Sequence, residues 1–392
     1  MQNKYDVIII GGGHNGLVTA GYLQRKGMNT LVLERRHMVG GACVTEEVFP
    51  GYKVSTNSYV CSLMRPEIIR DLELKRFGYE IIERNPSSFS PYPSEKYLMF
   101  WRDQKKTCEE IAKFSKKDAT AYPAFEKKLE ELSQFVQPLL TSVPPDPTSS
   151  APGDILGSLK LLCRVKGLGN DIYEQLRMFS MSVSDYLDHW FESEELKVRM
   201  ATDGVIGAWA GPYSPGTAYV LFHHVMGETE GKPGVWGYAK GGMGTITQAL
   251  AKSFQSAGGT ILTRADVDKV LIRDNNAIGI VLKDGREFYS NKVISNADPH
   301  RTFLGLVGEK NLEPSFVQGV KGIRMRSGVL KINVALGELP DFKALPGKEV
   351  GPQHRGTIHL APSMRYLEKA FDDAKHGMPS ESPTIEMTIA ST

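Results

Sequence analysis

Residues 5–34, YDVIIIGGGHNGLVTAGYLQRKGMNTLVLE, carry the pattern that decides the fold. The apolar run at 5–10 is short and reads as a buried strand. It ends in three consecutive glycines. From about 15 to 26, Leu17, Val18, Ala20 and Leu23 recur at helical spacing. Gly21 leaves room for close approach on that face, and Gly27 is a plausible C-terminal stop. TLVL at 30–33 is a second strand, with Glu34 at its end. Strand, helix and strand in this order make a βαβ unit of an α/β protein.

Gly11, Gly13 and Gly16 stand at the G-x-G-x-x-G positions. The first glycine permits the tight turn out of the strand. The second lets a pyrophosphate approach the backbone, and the third lets the helix pack closely on the sheet. The helix N-terminus adds free N–H groups and a positive dipole end for phosphate. His14 and Asn15 open that helix. The Glu34 carboxylate is placed to accept hydrogen bonds from adenosine ribose hydroxyls, and it would repel a 2′-phosphate. The glycine fingerprint alone leaves FAD and NAD open. Gly40 and Gly41, six residues past Glu34, lean toward FAD, because a glycine pair there lets backbone run along an extended cofactor. Arg35 is a cation beside the same stretch.

Working outward, 392 residues exceed one typical core, so two domains are expected. A net charge of +2 gives no reason to expect nucleic acid as a partner. The lysines near Lys116 and Lys127 alternate with Glu126, Glu130 and Glu131 and read as a solvated helix face. No apolar stretch approaches 18 residues, so no transmembrane span is expected, and peripheral membrane contact stays open. The first strand begins so near Met1 that no targeting segment is expected, which makes a cytoplasmic location the default. The four cysteines form no CxxC pair, and no metal cluster is suggested.

The patterns predict a helix near 65–72, a strand pair at 79–83 and 96–101, and helices over 104–116 and 118–140. A Pro/Ser-rich connector follows at 141–154, then helices near 155–165, 171–178, 182–190 and 193–203. Residues 204–237 read as a segment broken by glycine and proline. A helix over 244–257, a strand at 260–263 and a β-meander within 266–296 come next, with Asp284-Gly285 as a hairpin turn. VLKINVAL at 329–336 and the alternating residues near 385–389 are expected strands.

The stretch YDVIIIGGGHNGLVTAGYLQRKGMNTLVLERRHMVGG resembles the phytoene desaturase-like branch of the flavin-dependent amine oxidase superfamily. YAKGGMGTITQALAKSFQSAGGTI at 238–261 resembles the block where that family's chain returns to its flavin domain. VISNADPHRTF at 293–303 resembles its strand-end turn near the cofactor. The resemblance implies a Rossmann-type (GR2-like) FAD-binding domain and a second, mixed α+β substrate domain. It implies FAD as cofactor, with Val267 beside the adenine and Asn296 at the strand-end turn. The domain division expected is 1–65 and 236–305 for the FAD-binding halves, 66–235 for a largely helical substrate region, and 306–392 for substrate-domain strands. The resemblance also implies an oxidoreductase, a dehydrogenase or desaturase taking hydride from a C–H bond of an apolar compound. A flavin-binding regulatory protein and an amine oxidase are the alternatives. Ala42 stands where amine oxidases often carry arginine after the glycine pair, which counts against the latter. Disulfide reduction needs a dithiol pair and a second dinucleotide loop. GGMG at 241–244 opens a helix without an acid-terminated βαβ unit around it. Family members carry a later glycine-containing motif by the isoalloxazine, so the chain is expected to be C-terminally incomplete. No catalytic residue is identifiable. His223, His224, Tyr213, Tyr219 and Trp236 read as local hydrogen-bonding or core residues.

Overall fold

The computed structural model describes residues 3–392 apart from 168, 170 and 230. The chain forms two compact units, each discontinuous in sequence. The first holds residues 1–82, 237–326 and 331–335; the second holds 83–236, 327–330 and 336–392.

A four-stranded parallel sheet centres the first unit, in the spatial order Thr260–Leu262, Thr30–Leu33, Val7–Ile10, Val293–Ser295. Every residue of Val7–Ile10 and Thr30–Leu33 is buried, as expected of parallel strands covered on both faces. The helices His14–Arg25 and Gly244–Ser256 bury Leu17, Ala20, Ile246, Ala249, Leu250 and Phe254 in one core with Val7, Ile9 and Val32. Gly21 is the expected close approach: a Cβ there would lie 3.0 Å from the Leu72 side chain. Gly27, at φ +84°, ends the first helix with its N–H donating to the Gln24 carbonyl. On the other face of the sheet, Ile8, Ile10, Leu31 and Leu33 pack with Val267, Val270, Ile280 and Phe288 of the meander. That meander runs Val267–Arg273, Asn276–Leu282, Glu287–Tyr289, and Gly285 turns its second hairpin at φ +87°.

In the second unit, strands Ser88–Pro91, Tyr97–Phe100, Thr357–Leu360 and Ile385–Met387 form a mixed sheet. Leu98 and Phe100 pack into a largely helical core with Phe125, Leu129, Tyr186, Leu187, Leu196 and Phe222. Buried Asp118 ties two helices of this core. It accepts from the Glu192 and Ser193 backbone N–H groups at 2.9 and 2.8 Å and from the Ser193 hydroxyl. Asp118→Ala leaves those donors unpaired in the interior. It should cost about 2–4 kcal/mol in denaturant unfolding, whereas Lys127→Ala on the solvated face should cost under about 0.5 kcal/mol.

Four sequence expectations need correction. The strands near 79–83 and 96–101 do not pair with each other. Tyr97–Phe100 pairs with Ser88–Pro91 across a tight local turn, while Ile81–Glu83 pairs with Gly237–Ala239. A hairpin partner a few residues away closes with little entropy loss, so the local pairing wins. The broken segment 204–237 contains the helix Thr217–Val225, which its glycine-rich flanks disguise. VLKINVAL does not form a strand: Leu330, Ile332 and Val334 are 83%, 69% and 65% exposed. β-propensity needs a neighbouring strand to act on, and the described residues offer this segment none. Finally, 306–392 holds helices Pro314–Gly322 and Met364–Lys375 and only two short strands.

Candidate functional site

The glycine loop lies where the strand Val7–Ile10 hands over to the helix His14–Arg25. Gly11 makes the turn at φ +101°, a left-handed conformation that costs a side-chain-bearing residue energy. A Cβ on Gly16 would lie 2.2 Å from the Gly11 carbonyl oxygen, so only glycine lets the helix start this close to the strand. The helix cap is Gly13, which offers no side-chain acceptor to the N–H groups of the first turn. Those donors and the dipole end are available to an anion.

A second backbone segment runs beside the loop. The Gly40 N–H donates to the Gly12 carbonyl at 2.9 Å, and Gly13 and Gly40 form a parallel bridge. Gly40 and Gly41 adopt φ +143° and +58°, and a Cβ on Gly41 would lie 3.1 Å from the Gly13 Cα. The glycine pair and the glycine loop are therefore in direct backbone contact. Asn296 closes the third side. Its N–H donates to the Ile10 carbonyl at 2.8 Å, and its side chain lies beside Gly11, Gly13 and Gly16. Asn296, Asn15 and Gly41 are exposed at this rim.

Glu34 is buried, and both its oxygens are engaged. One accepts from the Gly12 N–H and the other from the Arg36 N–H, each at 2.9 Å. The sequence suggests a carboxylate held ready for ribose; the structure shows that it also braces the middle of the glycine loop. A carboxylate has lone pairs beyond these two bonds, so both roles are compatible. The backbone of Glu34 accepts from the Ala265 N–H, which brings the start of the meander, and Val267 two residues on, next to the acid. The Val267 side chain itself is buried in the core. Arg35 is exposed, whereas Arg36 pairs with Glu46. His14 is half-buried, with Nδ1 3.8 Å from the Cys43 Sγ, and burial pushes its imidazole below the ordinary range.

Three contributors escaped sequence reading. Thr45 and Ser55, on the hairpin Thr45–Phe49 and Tyr52–Ser55, accept from the Gly244 and Met243 N–H groups at 2.9 and 3.0 Å. The N-terminus of the GGMG helix is thus already capped and is not a second phosphate loop. Thr247 donates to the Cys43 carbonyl at 2.7 Å, holding the segment after the glycine pair. Thr45 lies 199 residues from its partner, so no local pattern could reveal the contact.

His223 and His224 make local contacts. The His224 ring stacks on Trp236 at 5.6 Å, and its Nδ1 lies 2.8 Å from the Val220 carbonyl. All four cysteines are free thiols, with no disulfide among them.

Similarity to known proteins agrees with this geometry. The model of the family described as flavin containing amine oxidoreductase matches residues 16–316. The chain is 42% identical over 411 residues to pyridine nucleotide-disulfide oxidoreductase domain-containing protein 2 of Rattus norvegicus, covering 100% of this chain and 71% of that protein. It is 24% identical over 356 residues to the lycopene-forming phytoene desaturase of Pantoea ananas, covering 89% and 67%. A solved structure of an oxidoreductase from Methanosarcina mazei superposes with a TM-score of 0.52 at 17% identity, covering 82% of this chain and 65% of that one. The chain belongs to the flavin containing amine oxidoreductase family and is a flavin-dependent oxidoreductase.

Proposed function

We propose that the protein binds FAD and uses it to dehydrogenate an apolar compound at a C–H bond. The observation that carries the cofactor assignment is the cradle of Gly11, Gly13, Gly16, Gly40 and Gly41, with Glu34 braced beneath it. These residues fit a dinucleotide pyrophosphate: side chains are absent where phosphate would approach, and helix N–H groups face that space. His14, Asn15, Arg35 and Asn296 would line the cradle. Val267 would flank the adenine through the backbone next to Glu34. When bound, the flavin supplies the hydride-accepting chemistry. The chain would hold and orient it, and the buried carboxylate would fix the ribose. In domain terms, residues 1–82 and 237–326 would form the cofactor half and 83–236 with 336–392 the substrate half, which moves the expected boundaries at 65 and 305 outward.

The preference for an apolar substrate rests on the similarity to a phytoene desaturase, together with Ala42 where amine oxidases often carry arginine.

Purified protein should be yellow and release FAD on acid treatment, identified against FAD and FMN standards by chromatography. Anaerobic mixing with isoprenoid alkenes should bleach the visible flavin band. Released FMN, or no flavin at all, would overturn the cofactor assignment. Bleaching by primary amines but not by alkenes would transfer the assignment to amine oxidation.

Protonation sets a further expectation for the second unit. His359 is buried, and burial together with the nearby Arg199 and Arg84 guanidinium groups holds its imidazole well below the ordinary range. The unfolded chain takes up this proton near pH 6.5 and the folded chain does not. His359 therefore adds no penalty above about pH 6.5, and stability falls below it by up to roughly 1.4 kcal/mol per pH unit. Urea unfolding at pH 7.5 and 5.5 should show this loss, and His359→Gln should reduce it. An unchanged pH slope in the variant would remove His359 as its source.

A further inference from the structure

We infer that Cys43 is an oxidation site at the edge of the cofactor cradle, and that peroxide modification of its thiol expels the flavin. The inference rests on the cofactor assignment above and adds a control to the same site. Cys43 follows the glycine pair, and its backbone is held at both polar groups. Its N–H donates to the Gly40 carbonyl at 2.9 Å, and its carbonyl accepts from the Thr247 hydroxyl at 2.7 Å. The Sγ lies 3.8 Å from Nδ1 of His14, the first residue of the helix His14–Arg25. The first-turn N–H groups of that helix have no side-chain cap and are the proposed phosphate donors. The Ser58 hydroxyl lies 3.5 Å from the same sulfur.

A half-exposed thiol with an imidazole and a hydroxyl against it is equipped to react. Burial holds the His14 ring below its ordinary range, so the ring is neutral at neutral pH. With the hydrogen on Nε2, Nδ1 takes the thiol proton. The Ser58 hydrogen, which also reaches the Ala42 carbonyl at 2.7 Å, turns to the sulfur as charge builds there. The sulfur attacks one oxygen of hydrogen peroxide and the O–O bond breaks. The departing hydroxide takes the proton from His14 and leaves as water. One thiol and one peroxide thus give one sulfenic acid and one water. A second peroxide carries the sulfenic acid to the sulfinic acid, again with release of water. The sulfinate is an anion beside the helix opening, where it competes with the pyrophosphate for the same donors. Bound flavin shields the thiol in turn, since the two exclusions are reciprocal. The other thiols lack this setting. Cys61 is buried, and burial pushes its thiol up. Cys108 is pushed up by burial and by Glu126. Cys163 is exposed on the helix Pro152–Gly167 of the second unit, which makes it an internal reference.

The test labels the flavin-depleted full chain with N-ethylmaleimide, without FAD and with FAD in saturating excess, and reads each cysteine by peptide mass spectrometry. Cys43 should react at least about tenfold more slowly with FAD present, while Cys163 reacts equally in both states. Depleted protein treated with hydrogen peroxide should gain oxygen on Cys43 and bind FAD at least about tenfold more weakly. Cys43→Ser should bind FAD like untreated wild type and keep that affinity after peroxide. Equal labelling of Cys43 in the two states would overturn the inference. So would an oxidised Cys43 with unchanged FAD affinity, or a Cys43→Ser variant that peroxide impairs as much as wild type. These outcomes are distinct from failure of the cofactor assignment, which shows as untreated wild type that binds no FAD and takes the inference with it.

Discussion

Gly16→Ala should markedly weaken the protein's hold on its flavin. The new Cβ would lie 2.2 Å from the Gly11 carbonyl oxygen. That oxygen is backbone, so no rotamer change relieves the overlap. The helix must retreat from the strand, and its first-turn N–H groups retreat with it. Overpacking of this kind costs about 1–3 kcal/mol. Because the displaced groups are the proposed phosphate donors, the cost should fall on both folding and binding. Flavin affinity should drop by roughly 5- to 150-fold, and the thermal midpoint by several degrees, about 2–4 °C for each kcal/mol lost. Gly319→Ala is the control. It lies in the helix Pro314–Gly322 with nothing within 4 Å of the added Cβ. It should change neither quantity adversely. Wild-type flavin affinity in Gly16→Ala, by fluorescence titration, would show that the loop does not hold the cofactor.

Glu34→Ala should have the next largest effect, for a reason that combines structure and binding. The carboxylate accepts from the buried Gly12 N–H and from the Arg36 N–H, both at 2.9 Å. Removing it orphans a buried donor in the middle of the loop, which costs about 1–3 kcal/mol before any cofactor is considered. Loss of the proposed ribose contact would add to this. We expect FAD to bind roughly 10- to 100-fold more weakly. Glu34→Gln keeps one acceptor oxygen but presents an NH₂ group to one of the two N–H donors. Its effect should therefore fall between wild type and Glu34→Ala. If both variants bound FAD as tightly as wild type, Glu34 would be a brace for the loop alone.

These two residues also show how much of the site could be read in advance. The order of strand, glycines, helix, strand and acid is a local pattern, and each member acts through neighbours a few residues away. Gly11 and Gly16 were legible because backbone geometry demands glycine there. That Glu34 braces Gly12 was not legible, because it depends on how the end of one strand faces the loop after another. The helix Thr217–Val225 was hidden for the opposite reason: its own pattern is helical, but Gly216, Gly211 and Pro215 around it signal interruption. The VLKINVAL segment alternates well and still forms no strand, since alternation states a preference and pairing requires a partner.

By itself the sequence determined the βαβ unit, its glycine loop, the acid that follows and the glycine pair beyond. In each case short-range sterics and periodicity leave few alternatives. Only the tertiary structure decided what completes the cradle. Gly40 bonds to Gly12, Asn296 closes the rim from a strand nearly 300 residues along, and Thr45 and Ser55 cap the helix that might otherwise pass for a second phosphate site. Such contacts join residues whose separation along the chain carries no signal, and they exist only once the parallel sheet has brought its distant strands side by side.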